Sequence, residues 1–150
     1  MKPFDVRLAT VADVPTILPM MAEFNRLEEI VWSADAGEPA LRKLIGDATL
    51  GVIGLVERAG DAIGYFVVTW GYDLEWNGRD AFLTELYLVA AERGAGVGRE
   101  VLARLEGVAK DHGTKALHLM VRNENAHARR FYDAAGYVSP LRLFMSKVLR

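Results

Sequence analysis

The stretch from Thr84 to Leu102, TELYLVAAERGAGVGREVL, constrains this chain more than any other. It opens as a strand, with Leu83, Glu85, Tyr87 and Val89 expected on one face and Leu86 and Leu88 on the other. It then breaks at Arg93-Gly94-Ala95-Gly96-Val97-Gly98 and continues as a helix. Glycines at alternate positions let the backbone come close to a ligand and take φ values that side chains forbid. The unpaired N–H groups of the helix start point at the same spot, with the positive end of the helix dipole behind them. Strand, glycine turn and helix N-terminus together form an anion cradle suited to phosphate.

The remainder of the chain bounds what that cradle can serve. At 150 residues the simplest organisation is one domain spanning residues 1–150, long enough to bury a sizeable core. Hydrophobic residues make up 51% and charged residues 25%, which argues against disorder. A net charge of −2 gives no general attraction to nucleic acid or anionic membrane. With 0 cysteines, disulfides, thiolate metal sites and cysteine nucleophiles are excluded, and no metal is expected. No apolar run approaches the roughly 20 residues of a membrane span, and MKPFDVRLAT lacks a secretory h-region, so a cytoplasmic location is expected.

Taken in order, Phe4 to Leu8 reads as a short strand, and Thr10 to Asp13 as a capping box opening a helix through Val14, Ile17, Leu18, Met21 and Phe24. Pro19 is expected to kink that helix. Between Glu23 and Glu38 the acids Glu23, Glu28, Glu29, Asp35 and Glu38 outnumber Arg26, which suits either a cationic substrate or a solvated surface. A second helix is expected over Pro39 to Ile45. Strands are expected over Thr49 to Arg58 and Ala62 to Tyr72 around an Ala59-Gly60-Asp61 turn. After the cradle, Val97, Val101, Leu102, Leu105, Val108 and Ala109 form the apolar stripe of a helix closed by His112-Gly113. A strand over Lys115 to Val121, a helix over Glu124 to Ala135 and one or two strands over Tyr137 to Leu149 complete the chain. His118 and His127 have no evident partners, and Arg122, Arg129 and Arg130 read as surface charge rather than a nucleic-acid module.

Three phosphate ligands compete for the cradle. A P-loop needs Gly-Lys-Ser/Thr at the helix start, whereas Gly98 is followed here by Arg99 and Glu100. A dinucleotide site needs G-x-G-x-x-G and an acid on the next strand, and Ala116 to Val121 carries none. The third reading is more specific. Arg93 to Gly98 resembles the R/Q-x-x-G-x-G/A signature of the GNAT N-acetyltransferases, and Asn125-Ala-His-Ala128-Arg-Arg-Phe131-Tyr132, followed by Gly136-Tyr137, resembles that family's second motif. Thr84 to Val89 together with Phe131-Tyr132 is most similar to the diamine and polyamine acetyltransferase branch.

The resemblance implies a mixed α/β fold, with a mostly antiparallel central sheet of about six or seven strands and helices on both faces. It also implies acetyl-CoA as co-substrate, held by Arg93, Gly94, Ala95, Gly96, Val97, Gly98 and Arg99, and a homodimer. By the same resemblance Leu88 and Val89 lie against the cofactor, the N–H of Val89 polarises the thioester carbonyl, and Asn125 hydrogen-bonds the pantetheine arm. Tyr132 is implied as the general acid that protonates the leaving thiolate. The residues themselves nominate the base. An alkyl amine, with a pKa of about 10.4, arrives protonated, and Glu85 is an acid set inside an apolar strand. A small cationic amine is the acceptor these features suit, while a non-catalytic acyl-CoA-binding module stays open as the other class.

Overall fold

Ala59 and Gly60 both adopt positive φ, 51° and 85°, the backbone of a two-residue hairpin turn whose twist matches its flanking strands. That turn joins β2 (Gly51–Arg58) to β3 (Asp61–Asp73) in a computed structural model that describes residues 1–150. β1 (Asp5–Leu8) adds antiparallel to β2, and β4 (Gly78–Leu88) adds antiparallel to β3. β5 (Ala116–Leu119) then adds parallel to β4 through the crossover helix α3 (Val97–Asp111). The sheet order is β1-β2-β3-β4-β5. The chain divides into two compact units, Met1–Met120, which holds this sheet, and Val121–Arg150.

One face of the sheet carries Ile53, Leu55, Tyr65, Val67 and Tyr87, packed under Val14, Ile17, Met20 and Met21 of α1 (Val14–Leu27) and Leu41 of α2 (Ala34–Gly46). By strand alternation Val52, Val56, Phe66 and Val68 line the opposite face, and all are buried. α3 covers that side with the stripe Val97, Val101, Leu102, Leu105 and Ala109, and its C-cap His112 stacks on Trp70 of β3 at 4.9 Å. Helices on both faces are thus present. At the molecule's start, Arg7 on β1 holds Asp13 at 2.8 Å and Glu57 of β2 at 2.9 Å. Its hydrogen bonds pull the Asp13 carboxyl down to about 2.

Several boundaries differ from expectation. α2 begins at Ala34, well before Pro39, because Ser33 caps it by accepting from the N–H of Ala36 at 3.5 Å. The sheet has five strands rather than six or seven, since Tyr137 to Leu149 forms none. Pro140 has no N–H to donate, and its carbonyl accepts from Arg142 at 2.8 Å in a local turn instead of a ladder. In the second unit α4 (Ala126–Ala134) is capped by Asn125 and closed at Gly136, whose φ is 93°.

Candidate active site

Glu85 owes its position to a β-bulge. Leu83 pairs with Val68 and Glu85 with Val67, so Thr84 is the extra residue, with its hydroxyl bonded to the Val67 carbonyl at 3.3 Å. The bulge overturns one expectation: Leu83 lies on the α3 side of the sheet, while Glu85 and Tyr87 lie on the α1 side. On that side Tyr65, which is 0% exposed, donates its phenol hydrogen to Glu85 Oε1 at 2.7 Å. The rings of Tyr65 and Tyr87 stand 5.9 Å apart, and the Arg93 guanidinium lies over Tyr87 at 5.4 Å. Burial pushes the Glu85 carboxyl above the ordinary carboxylate range, and the Tyr65 hydrogen bond opposes that rise. Tyr65 itself is pushed up by burial and by the nearby Glu85 charge. From α1 the Glu23–Arg26 pair, at 2.7 Å, reaches the same region, for Arg93 adds to the lowering of Glu23.

Past Glu85 the strand is half free. The parallel ladder with β5 covers only Asp80 to Leu83, although β4 continues to Leu88. The N–H of Val89 donates to Ile63 O at 2.9 Å, so it points at β3 and is engaged. Antiparallel alternation turns the N–H of Leu88 to the other side, away from β3. Val89 is therefore not the free donor; Leu88 is. The Leu88 carbonyl accepts from Arg93 Nε at 2.9 Å, which ties the glycine turn back onto the strand end.

The turn has the geometry of a cradle. Gly94 and Gly96 sit at φ 81° and 83°, and Gly96 is the N-cap of α3. The first hydrogen bond into the helix runs from Glu100 N–H to Gly96 O, at 3.4 Å, so the N–H groups of Val97, Gly98 and Arg99 have no intrahelical partner. Arg93, Gly94, Ala95, Gly96 and Arg99 are exposed, Gly98 is half-buried, and Val97 anchors the helix in the core. An anionic pyrophosphate fits such a surface: free N–H donors, a helix dipole and two arginines. No group of three or more His, Cys, Asp or Glu side chains converges to hold a metal ion.

In the second unit, Asn125 Oδ1 accepts from Ala128 N–H at 3.0 Å and caps α4, which leaves its amide nitrogen as the donor. Tyr132 follows two helical turns later and meets Phe131 and Tyr137 edge-on at 5.0 and 5.6 Å. Two side-chain contacts escaped sequence reasoning. Tyr65 was one; a phenol in the apolar run Ile63 to Val68 signals a buried hydrogen bond, but not its partner. The other is His118, expected to stand alone. Its Nε2 lies 3.0 Å from Asp80 Oδ2, and its ring packs beside Trp76 and Phe82.

A strand that outruns its neighbour, a buried acid beside its end and a glycine turn that opens a helix follow one another along the chain. The chain belongs to the acetyltransferase (GNAT) family, whose model matches residues 18–137. It is similar to thialysine N-epsilon-acetyltransferase of Bos taurus, at 27% identity over 140 residues, 87% of this chain and 82% of that protein. It is also similar to spermidine/spermine N(1)-acetyltransferase-like protein 1 of Homo sapiens, at 26% identity over 89% of this chain but only 20% of that protein's length. Both names belong to the branch that the two motifs resemble. Among solved structures, an integron cassette protein from the mobile metagenome of Cole Harbour Salt Marsh matches with a TM-score of 0.85 and 28% identity, covering 97% of this chain and 90% of that one. The chain is an N-acetyltransferase with the mixed, mostly antiparallel fold of its family. No helix is long and apolar enough to cross a membrane.

Proposed function

We propose that this enzyme moves an acetyl group from acetyl-CoA to a primary amine on a small cationic acceptor, by direct attack. The observation that carries the reading is the continuity of Glu85, the unpaired edge of β4 and the Arg93 to Arg99 cradle along one strand-turn-helix. When bound, acetyl-CoA supplies an acyl carbon already activated as a thioester. The protein's residues do the rest. N–H groups between Gly94 and Arg99, with Arg93, bind the pyrophosphate, and the amide nitrogen of Asn125 donates to the pantetheine arm. Leu88 N–H is the donor that stabilises charge developing on the acyl oxygen, an effect worth roughly 3 kcal/mol in such sites.

Glu85 removes the ammonium proton so that the amine can attack, directly or through a water. Its raised proton affinity matches it better to that task than an ordinary carboxylate. Tyr132 returns a proton to the departing thiolate. Exposed acids near the start of α2 and the end of α1, among them Asp35 and Glu29, favour a cationic acceptor, and the two relatives named for thialysine and spermidine/spermine acetylation support that class. We also infer a homodimer, because the segment after Gly136 leaves Leu141, Leu143, Phe144, Met145, Val148 and Leu149 exposed.

The test is free-thiol release from acetyl-CoA with polyamines, aminoglycosides, lysine-like amines and neutral or anionic amines. Release is expected with one cationic class, and Tyr132→Phe should lower turnover by about 10²-fold or more while leaving CoA affinity nearly unchanged. Equal rates on anionic amines would remove the cationic-acceptor reading. Tight CoA binding with no release from any amine would favour a non-catalytic acyl-CoA-binding protein.

A further inference from the structure

The geometry points to Tyr65 as the residue that positions Glu85 and holds it ready to accept a proton, a role that rests on Glu85 being the base. Tyr65 is wholly enclosed, and its hydroxyl reaches one acceptor, Glu85 Oε1, at 2.7 Å. A buried phenol needs such a partner, and a buried carboxylate needs such a donor, so each side chain answers the other's desolvation. The register shows how the fold enforces it. Tyr65 opposes Tyr87 and Val67 opposes Glu85, so the two side chains lie diagonally across the β3–β4 ladder on one face. Without the extra residue at Thr84, Glu85 would point to the α3 side and the contact would vanish.

The surrounding charges have other engagements. Arg93 bonds the Leu88 carbonyl and stacks over Tyr87; Glu23 and Arg26 of α1 pair with each other. On α2, Glu38 pairs with Arg42 and Lys43 with Asp47 beyond its end, and on β5 His118 is bonded to Asp80. Burial and the Tyr65 hydrogen bond are the two influences on Glu85, and they oppose each other. Burial favours the neutral acid, which cannot take a proton; the phenol favours the carboxylate, which can. Tyr65 also fixes one oxygen of the carboxylate, leaving the other to face the amine.

Tyr65→Phe isolates this role, because it keeps the ring that fills the core and removes only the donor. The expected result is an acidic limb of kcat/KM displaced to higher pH. At about pH 6 the loss should be on the order of tenfold, recovering as pH rises. The KM for acetyl-CoA should not change. A ¹³C-carboxyl NMR titration of Glu85 in both proteins should move in the same direction and does not depend on turnover. An acidic limb and a Glu85 titration that both stay put in Tyr65→Phe would overturn the inference. Glu85→Asp keeps a carboxylate but withdraws it from the Tyr65 hydroxyl, so full activity in that variant would overturn it as well. Failure of the underlying reading looks different: Glu85→Gln would then retain turnover and the acidic limb, whatever Tyr65→Phe does.

Discussion

Burial and hydrogen bonding pull Glu85 in opposite directions, and the residue shows what an enclosed acid costs its fold. Its folded proton affinity is raised, burial being the larger cause, so the folded state holds this proton more tightly than the unfolded chain does. Stability is therefore lost as pH rises from the unfolded carboxylate range through the folded value. Glu85→Gln removes the charge and keeps an oxygen for Tyr65. Its melting temperature should exceed that of the parent at neutral pH and match it near pH 4, as differential scanning calorimetry at both values would show. Turnover should fall by about 10²-fold or more in the same protein. A variant at once more stable and less active marks a residue kept for chemistry rather than packing. An acid inside an apolar strand singles out Glu85 in the sequence; that Tyr65 answers it could not be read there, because 20 residues separate them.

At the scale of elements, the glycine turn and α3 were legible because their chemistry is local. A left-handed residue at the helix start needs glycine, and the alternating glycines supply it. Gly96→Ala should cost about 1 kcal/mol or more through its φ of 83°, since an added Cβ there meets nothing nearer than the Met1 side chain at 3.6 Å. The KM for acetyl-CoA should rise on the order of tenfold, measured by initial rates, while kcat changes less. β4 was legible as a strand but not in its facing. A bulge is a property of two strands in register, and period-2 reading of one strand carries Leu83 and Glu85 to the same side. α2 began earlier than its proline suggested because Ser33, not Pro39, decides where the backbone is capped, and Pro39 stands inside the helix at its sixth residue.

For the whole molecule, the units Met1–Met120 and Val121–Arg150 each carry one of the two motifs that resemble the family's. The exposed apolar side chains after Gly136 predict self-association. Sedimentation velocity should give a dimer, and charged substitutions such as Leu143→Asp with Phe144→Asp should shift it toward monomer. A monomer that is unaffected by those changes would remove the homodimer inference. The sequence by itself determined the class of fold and the glycine turn before α3, and it nominated Glu85 and Tyr132 as candidates, because glycine spacing, helix periodicity and motif order act over short stretches of chain. The tertiary structure alone decided what those residues touch. The bulge at Thr84, the Tyr65–Glu85 hydrogen bond, the engagement of Val89 by Ile63 and the Asp80–His118 pair all arise between strands or across a bulge in their register. Register is set by the packing of whole faces, which no single stretch of sequence contains.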